Sequence, residues 1–155
     1  MRLLSPANKT SELLANEKRE LQRLAGLMIP AHVGYGVPGA DDASIFDAIV
    51  TSAESRIQEV RHALAHLETL TEVPLCELNG QRQLEVVRLF GERAPASAAA
   101  LVSFVAACYY RDERVMRALG MEVRAPFPKG FPVEKGDWSL LEPVRAGPRR
   151  YRAVD

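Results

Sequence analysis

An all-α fold is predicted from three observations. Apolar residues recur at three- and four-residue spacings through most of residues 16–120, the period of a helix with one buried stripe. Those stretches are bounded by Asn, Asp and Ser on the N-terminal side and by Pro and Gly on the C-terminal side, as helix starts and stops require. The most apolar of them begins at Phe104, pivots at Asp112 into a second short helix and stops at Gly120, beyond which the chain turns rich in proline and aromatic residues. The expected architecture is a small bundle of about five helices with an extended Pro/aromatic-rich C-terminal tail. It divides into an N-terminal arm over 1–15, a helical domain over 16–120 and a partner-docking tail over 121–155.

In the arm, Ser11 either caps a short helical lead through Leu13 and Leu14 or belongs to a loose segment. Asn16 is the expected cap of the first helix. Leu21, Leu24, Ala25 and Met28 form its buried stripe, and Pro30 stops it, because the residue before a proline is pushed out of the α region. Residues 32–40, HVGYGVPGA, hold three glycines and a proline and read as a packed, ordered loop. Asp41 and Asp42 then suit the positive end of a new helix. Its inner face is Ile45, Phe46, Ile49 and Val50. Residues 52–55 are a candidate break, after which Ile57, Val60, Leu64, Leu67 and Leu70 or Thr71 continue the spacing. The stretch is therefore one long helix or two with a kink, closed by Pro74.

Asn79 caps the next helix, with Leu84, Val87, Leu89 and Phe90 turned inward. After a turn over 91–95, Ser97 caps AAALVSFVAACYY. Leu101, Phe104, Val105, Cys108 and Tyr109 leave this helix apolar on nearly every side, which predicts a central position. Asp112 caps a last helix whose apolar face is Val115, Met116 and Leu119, and Gly120 stands where a left-handed C-terminal cap is expected. The tail 121–155 holds five of the ten prolines, interleaved with Phe127, Phe131, Trp138, Leu140, Leu141 and Tyr151. A disordered segment is poor in aromatics, so this one is expected to be ordered and docked, on its own bundle or on a partner.

Composition excludes several classes. At 155 residues and 47% hydrophobic the chain fits one domain with a core that needs no disulfide or metal. The formal net charge is zero, so no global field draws it to nucleic acid or an anionic membrane. Cys76 and Cys108 lie too far apart in sequence for a metal or redox motif. No apolar run approaches the ~18 residues of a membrane span. The segment after Met1 lacks the apolar core of a signal peptide. The expected location is therefore cytoplasmic, or periplasmic if the chain is exported with a partner or has had a signal trimmed from it.

No catalytic constellation emerges. There is no GxSxG elbow, Walker loop, CxxC or CxxCH. His62 and His66 stand four apart, as in helical zinc sites, but without HExxH or an evident third ligand they read as solvated or capping residues. His32 with Asp41 or Asp42 is the weakest of the alternatives, a stand-alone helical enzyme with no fixed nucleophile. No catalytic, cofactor-binding or metal residues are assigned.

Several segments together resemble the gluconate 2-dehydrogenase subunit 3 family: GLMIP at 26–30, VPGADDASIFDAI at 37–49, the helix 79–90, and YYRDERVMRALG at 109–120 leading into PFPKGF and GDWSLLEPV. The resemblance spans about residues 16–144. It implies a non-catalytic small subunit that folds, solubilises or escorts a large FAD-dependent catalytic subunit of the glucose–methanol–choline type, which oxidises a sugar or other alcohol. FAD would sit in that partner, whether or not a cytochrome subunit joins. Trp, Tyr and Arg are favoured at interfaces. The predicted partner contacts are therefore Phe127, Phe131 and Trp138 in the tail, Tyr109, Tyr110 and Arg111 at the pivot, and Arg145 in the C-terminal arginine cluster. Intrachain packing is the alternative for each. The competing function is a stand-alone binding or regulatory module, homodimeric through the tail.

Overall fold

The computed structural model describes residues 12–124, 130 and 135–148. The chain divides into two compact units, Met1–Val123 and Arg124–Asp155. The described part of the first is all-α: α1 Ala15–Met28, α2 Ala43–Ala53, α3 Ile57–Glu68, α4 Gly80–Arg93, α5 Pro95–Tyr109 and α6 Glu113–Ala118. Short 3₁₀ turns at Val33–Tyr35, Glu54–Arg56 and Leu75–Glu77 link them. The second unit contributes a 3₁₀ turn, Trp138–Leu141, running into α7, Glu142–Ala146. Residues 138–146 are thus helical where an extended run is expected from sequence: Asp137 caps the turn by accepting from Ser139 N–H at 3.0 Å, and Pro143 sits near the start of α7, where its missing N–H costs nothing.

α5 packs against α2, α3 and α4, while α1 packs against α3, α4 and the Leu75–Glu77 turn. The core collects Leu21, Leu24, Ile45, Ile49, Val60, Leu67, Phe90, Val105 and Val115, all nearly inaccessible to solvent. The break in the 43–68 stretch is real: the 3₁₀ turn at Glu54–Arg56 separates α2 from α3. Leu13 also enters the core, and Arg61 of α3 donates to the Glu12 carbonyl at 2.7 Å and pairs with Glu17 at 3.0 Å. The described end of the arm, 12–14, is therefore pinned to the bundle; Ser11 lies outside the described residues.

Several caps move by a few residues. Leu14, not Asn16, precedes α1, and its N–H donates back to Glu17 at 2.7 Å. α5 starts at Pro95, so Ser97 lies inside its first turn; proline at the first helical position presets φ and lacks only a donor that would have been orphaned. Asp42, Asn79 and Asp112 cap as expected, each accepting a backbone N–H of the helix it starts. Gly120 has φ +72°, and Met121 N–H donates to the Met116 carbonyl at 2.9 Å, so the left-handed cap after α6 forms.

The face of α4 differs from its hydrophobic pattern. Leu84 is 60% exposed, whereas Gln83 is buried beside Val86 and Phe90. A buried amide needs partners, and Gln83 has them: it donates to the Leu75 carbonyl at 2.9 Å and accepts from both donors of the Arg23 fork. Glu20 completes the clamp, its carboxylate accepting from Leu75 N–H at 2.7 Å and Cys76 N–H at 3.3 Å. Residues of α1 and α4 thus satisfy the backbone of the 75–77 turn between them.

Two stability measurements test this arrangement. Phe90→Ala is expected to cost about 3–5 kcal/mol, whereas Leu84→Ala stays within about 0.5 kcal/mol of the native protein; equal denaturant midpoints for the two would place α4 in the wrong rotation. Glu20→Ala, which strips a buried N–H of its acceptor, is expected to cost about 1–3 kcal/mol, and Glu20→Gln, which keeps an acceptor oxygen, less. A native-like urea midpoint for Glu20→Ala would show that the clamp is dispensable.

Candidate functional site

The exposed apolar side chains of the described residues gather on a few surfaces. The first surface is the outer side of α5. No residue of Pro95–Tyr109 is charged. Leu101, Phe104, Val105, Cys108 and Tyr109 are buried on one side, with Leu101, Phe104 and Val105 each worth roughly 1.5–3 kcal/mol if fully withdrawn from water. The other side, Ala96, Ala99, Ala100, Ser103 and Ala107, is exposed, and Val102 beside it is 46% exposed. The helix is therefore central in its contacts but not enclosed, in contrast to the expectation from its uniform hydrophobicity. A solvent-facing helix side normally carries charge; this one carries none.

The second surface is the loop after α1. His32 and Val37 form an antiparallel bridge closed by two backbone hydrogen bonds of 3.0 and 3.3 Å. Inside it His32 Nδ1 accepts from Tyr35 N–H at 3.3 Å, the two rings lie 4.6 Å apart, and Gly36 takes φ +64° to turn the chain back. The loop is ordered as expected but its tip is not packed: Val33 is 97% exposed and Tyr35 75%. Composition alone reads this segment as connector; a closed hairpin displaying two bare apolar side chains shows only in three dimensions.

Tyr109, predicted at a partner interface, is instead buried, and its hydroxyl donates to the Pro38 carbonyl at 3.0 Å. It ties α5 to the base of this loop, and burial pushes its phenol above the usual range. Tyr110 stands edge-on to it, with centroids 5.2 Å apart, and is half exposed. Arg111 is exposed. The structure thus brings Tyr110 and Arg111 to the surface and removes Tyr109 from it.

In the second unit Trp138, Leu140, Leu141 and Val144 are all exposed, Trp138 at 68%. Arg145 is exposed and lies 3.6 Å from Glu142 one turn back. Phe127 and Phe131 lie outside the described residues.

A cavity of about 250 Å³ opens between α1, the end of α3 and residues 71–76, lined by Arg19, Glu20, Leu67, Thr71, Pro74 and Cys76 among others. It is at the small end of ligand pockets. Of the three carboxylates that line it, Glu20, Glu68 and Glu72, Glu20 is committed to the Leu75 and Cys76 N–H groups. Its thiol, Cys76, is pushed above the ordinary range by a hydrogen bond to Glu20 and by burial, the opposite of what a thiolate nucleophile needs. His32 accepts from Tyr35 N–H and Asp42 from Arg114, and no hydrogen bond joins His32 to Asp41 or Asp42 among the described residues. No group of three metal-ligating side chains occurs among the described residues, and no helix among them is long and apolar enough to cross a membrane.

The strongest charge cluster is structural. Arg114 of α6 donates to Asp42, the cap of α2, at 2.7 and 3.2 Å, to Ser44 Oγ at 2.8 Å, and to Asp112, the cap of its own helix, at 3.0 Å through both Nε and Nη2. Hydrogen bonds from the guanidinium hold both carboxyls below the usual carboxylate range. The cluster fastens the start of α6 to the start of α2, and so fixes the pivot that carries Tyr110 and Arg111.

Neither the protein-family models, nor the curated proteins, nor the solved structures compared with this chain give a match.

Because Asp42 and Asp112 have native pKa values below their unfolded ones, the stability they add is complete above about pH 4, the unfolded aspartate value, and is lost as pH falls through the depressed native values. Arg114→Leu is therefore expected to lower the thermal midpoint at pH 7, with the deficit against the native protein shrinking as melts are taken from pH 5 towards pH 3. High salt should shrink it too, since the cluster is partly exposed. A deficit independent of both pH and salt would assign the loss to packing instead.

Proposed function

We infer that this chain is a non-catalytic small subunit that docks on a larger flavin-dependent oxidoreductase of the glucose–methanol–choline type, acting on a sugar or other alcohol, and keeps it folded and soluble. The observation that carries the docking role is the bare, charge-free outer side of α5. Fifteen residues without a charge, exposed along Ala96, Ala99, Ala100, Ser103 and Ala107, suit close approach of another polypeptide, because small side chains let backbones pack near one another. The exposed apolar side chains of 138–146, the hairpin tip at Val33 and Tyr35, and Tyr110 add anchors of the kind found at the buried centres of interfaces. The hairpin is closed before binding, which lowers the ordering cost of docking.

The class of partner rests on the sequence resemblance of 26–30, 37–49, 79–90 and 109–120 to the gluconate 2-dehydrogenase subunit 3 family. FAD belongs to the partner in this assignment.

The test is co-expression with a glucose–methanol–choline type dehydrogenase from the same source. The two chains are expected to co-elute in a yellow complex with flavin absorbance. Ser103→Glu, which places a charge on the outer side of α5 at an exposed position, is expected to abolish co-elution while leaving the helical circular dichroism unchanged; Trp138→Ala should weaken it. Separate elution of the native chains at micromolar concentration would remove the flavoprotein assignment. Co-elution unaffected by Ser103→Glu would move the interface away from α5.

A further inference from the structure

We propose that His62 and His66 form a bidentate site for a borderline divalent transition-metal ion, with Cu²⁺, Ni²⁺ and Zn²⁺ as its ligand class. Sequence spacing alone leaves the pair as two solvated residues. The structure adds convergence: the two Nε2 atoms approach to 3.1 Å, with the rings 4.5 Å apart and almost perpendicular. Imidazole nitrogens bind such ions at about 2.0–2.1 Å, so two of them at 90–109° around one metal lie about 2.9–3.3 Å apart. The observed separation falls inside that interval, and rotations about the two side chains' own bonds that swing both Nε2 lone pairs off the N–N line towards one point seat the ion.

Without metal, a contact this short between two imidazole nitrogens requires one Nε2 to carry the hydrogen and the other to accept it. Coordination by both Nε2 atoms requires both rings to carry their hydrogen on Nδ1. The bound ion takes the place of the shared hydrogen, and the donor ring shifts its proton from Nε2 to Nδ1 with no net proton released from a neutral pair. The scaffold is preset. Both residues sit one turn apart on α3, whose Val60, Ala63, Leu64 and Leu67 are buried and which packs against α1, α4 and α5. No loop has to be ordered to bring the ligands together. His62 is exposed and His66 half-buried, so the ion has access from solvent. No third protein ligand of the His, Cys, Asp or Glu type joins them among the described residues, and water completes the coordination sphere. Imidazole nitrogen favours Cu²⁺ over Ni²⁺ and Zn²⁺, and disfavours Mg²⁺.

The test is calorimetric titration of the untagged full-length chain with NiCl₂, and separately with MgCl₂, in a non-chelating buffer. One Ni²⁺ per chain is expected, no Mg²⁺, and a thermal midpoint raised by Ni²⁺ because the converged pair exists only in the folded state. His62→Gln and His66→Gln are each expected to weaken Ni²⁺ binding about tenfold or more, since each removes one arm of a two-armed ligand. His32→Gln serves as the control and should bind as the native chain does. Both substitutions at 62 and 66 fall off the buried face of α3, so unchanged circular dichroism accompanies the loss. Native-strength Ni²⁺ binding by the double variant, or Mg²⁺ binding as strong as Ni²⁺, would overturn the assignment.

Discussion

One side of α5 must be covered, and the first unit is arranged around that requirement. Leu101, Phe104, Val105, Cys108 and Tyr109 leave water together, and the walls that cover them come from α2, α3 and α4. The alanines flanking these residues permit close approach, which lets three helices share one neighbour. The opposite side of the same helix is equally free of charge yet faces solvent. The buried side carries the large apolar side chains and the exposed side the small ones, so the area gained on burial decides which side turns inward, without any charge to mark the other.

Polar clamps supply what hydrophobic packing does not: fixed loop positions. Glu20, Arg23 and Gln83 hold the 75–77 turn through its backbone. Arg114 joins the caps of α2 and α6. Tyr109 reaches from the core to the Pro38 carbonyl at the base of the 32–37 hairpin. Each clamp spends a side chain that might otherwise look reactive. Glu20, Asp42 and Asp112 are acceptors with donors already in place, and Cys76 is held as a thiol by its carboxylate neighbour. The chain displays α5, the hairpin tip and the 138–146 segment, and it places two imidazoles within chelating distance on α3.

Much of the fold is legible in the residues themselves. Asp42, Asn79 and Asp112 cap helices because a short acceptor side chain ahead of an apolar stripe has one favourable use. Gly120 ends α6 because it alone tolerates the left-handed backbone there at no steric cost. Leu21, Leu24, Ile45, Ile49, Val60, Leu64 and Leu67 lie on their inner faces because periodicity fixes which residues share a side. The candidate surface was less legible. Tyr110, Arg111, Trp138 and Arg145 are exposed, but Tyr109 is not, since a tyrosine beside a carbonyl acceptor can be buried as readily as displayed.

By itself, then, the sequence determined the all-α class, the caps at Asp42, Asn79 and Asp112 and most of the core stripe, all of which depend on neighbours within a turn or two along the chain; the described residues form seven α-helices where about five are expected, because α2 and α3 separate at Glu54–Arg56 and 142–146 is helical. Only the tertiary structure decided the rotation of α4, where partners distant in sequence reward burial of Gln83 over Leu84. It alone decided that one side of α5 stays bare, that Val33 and Tyr35 project from a closed hairpin, and that the nitrogens of His62 and His66 converge. The physical reason is common to all four: each depends on which groups, far apart in the chain or free to rotate about their own bonds, find a partner once the helices have packed.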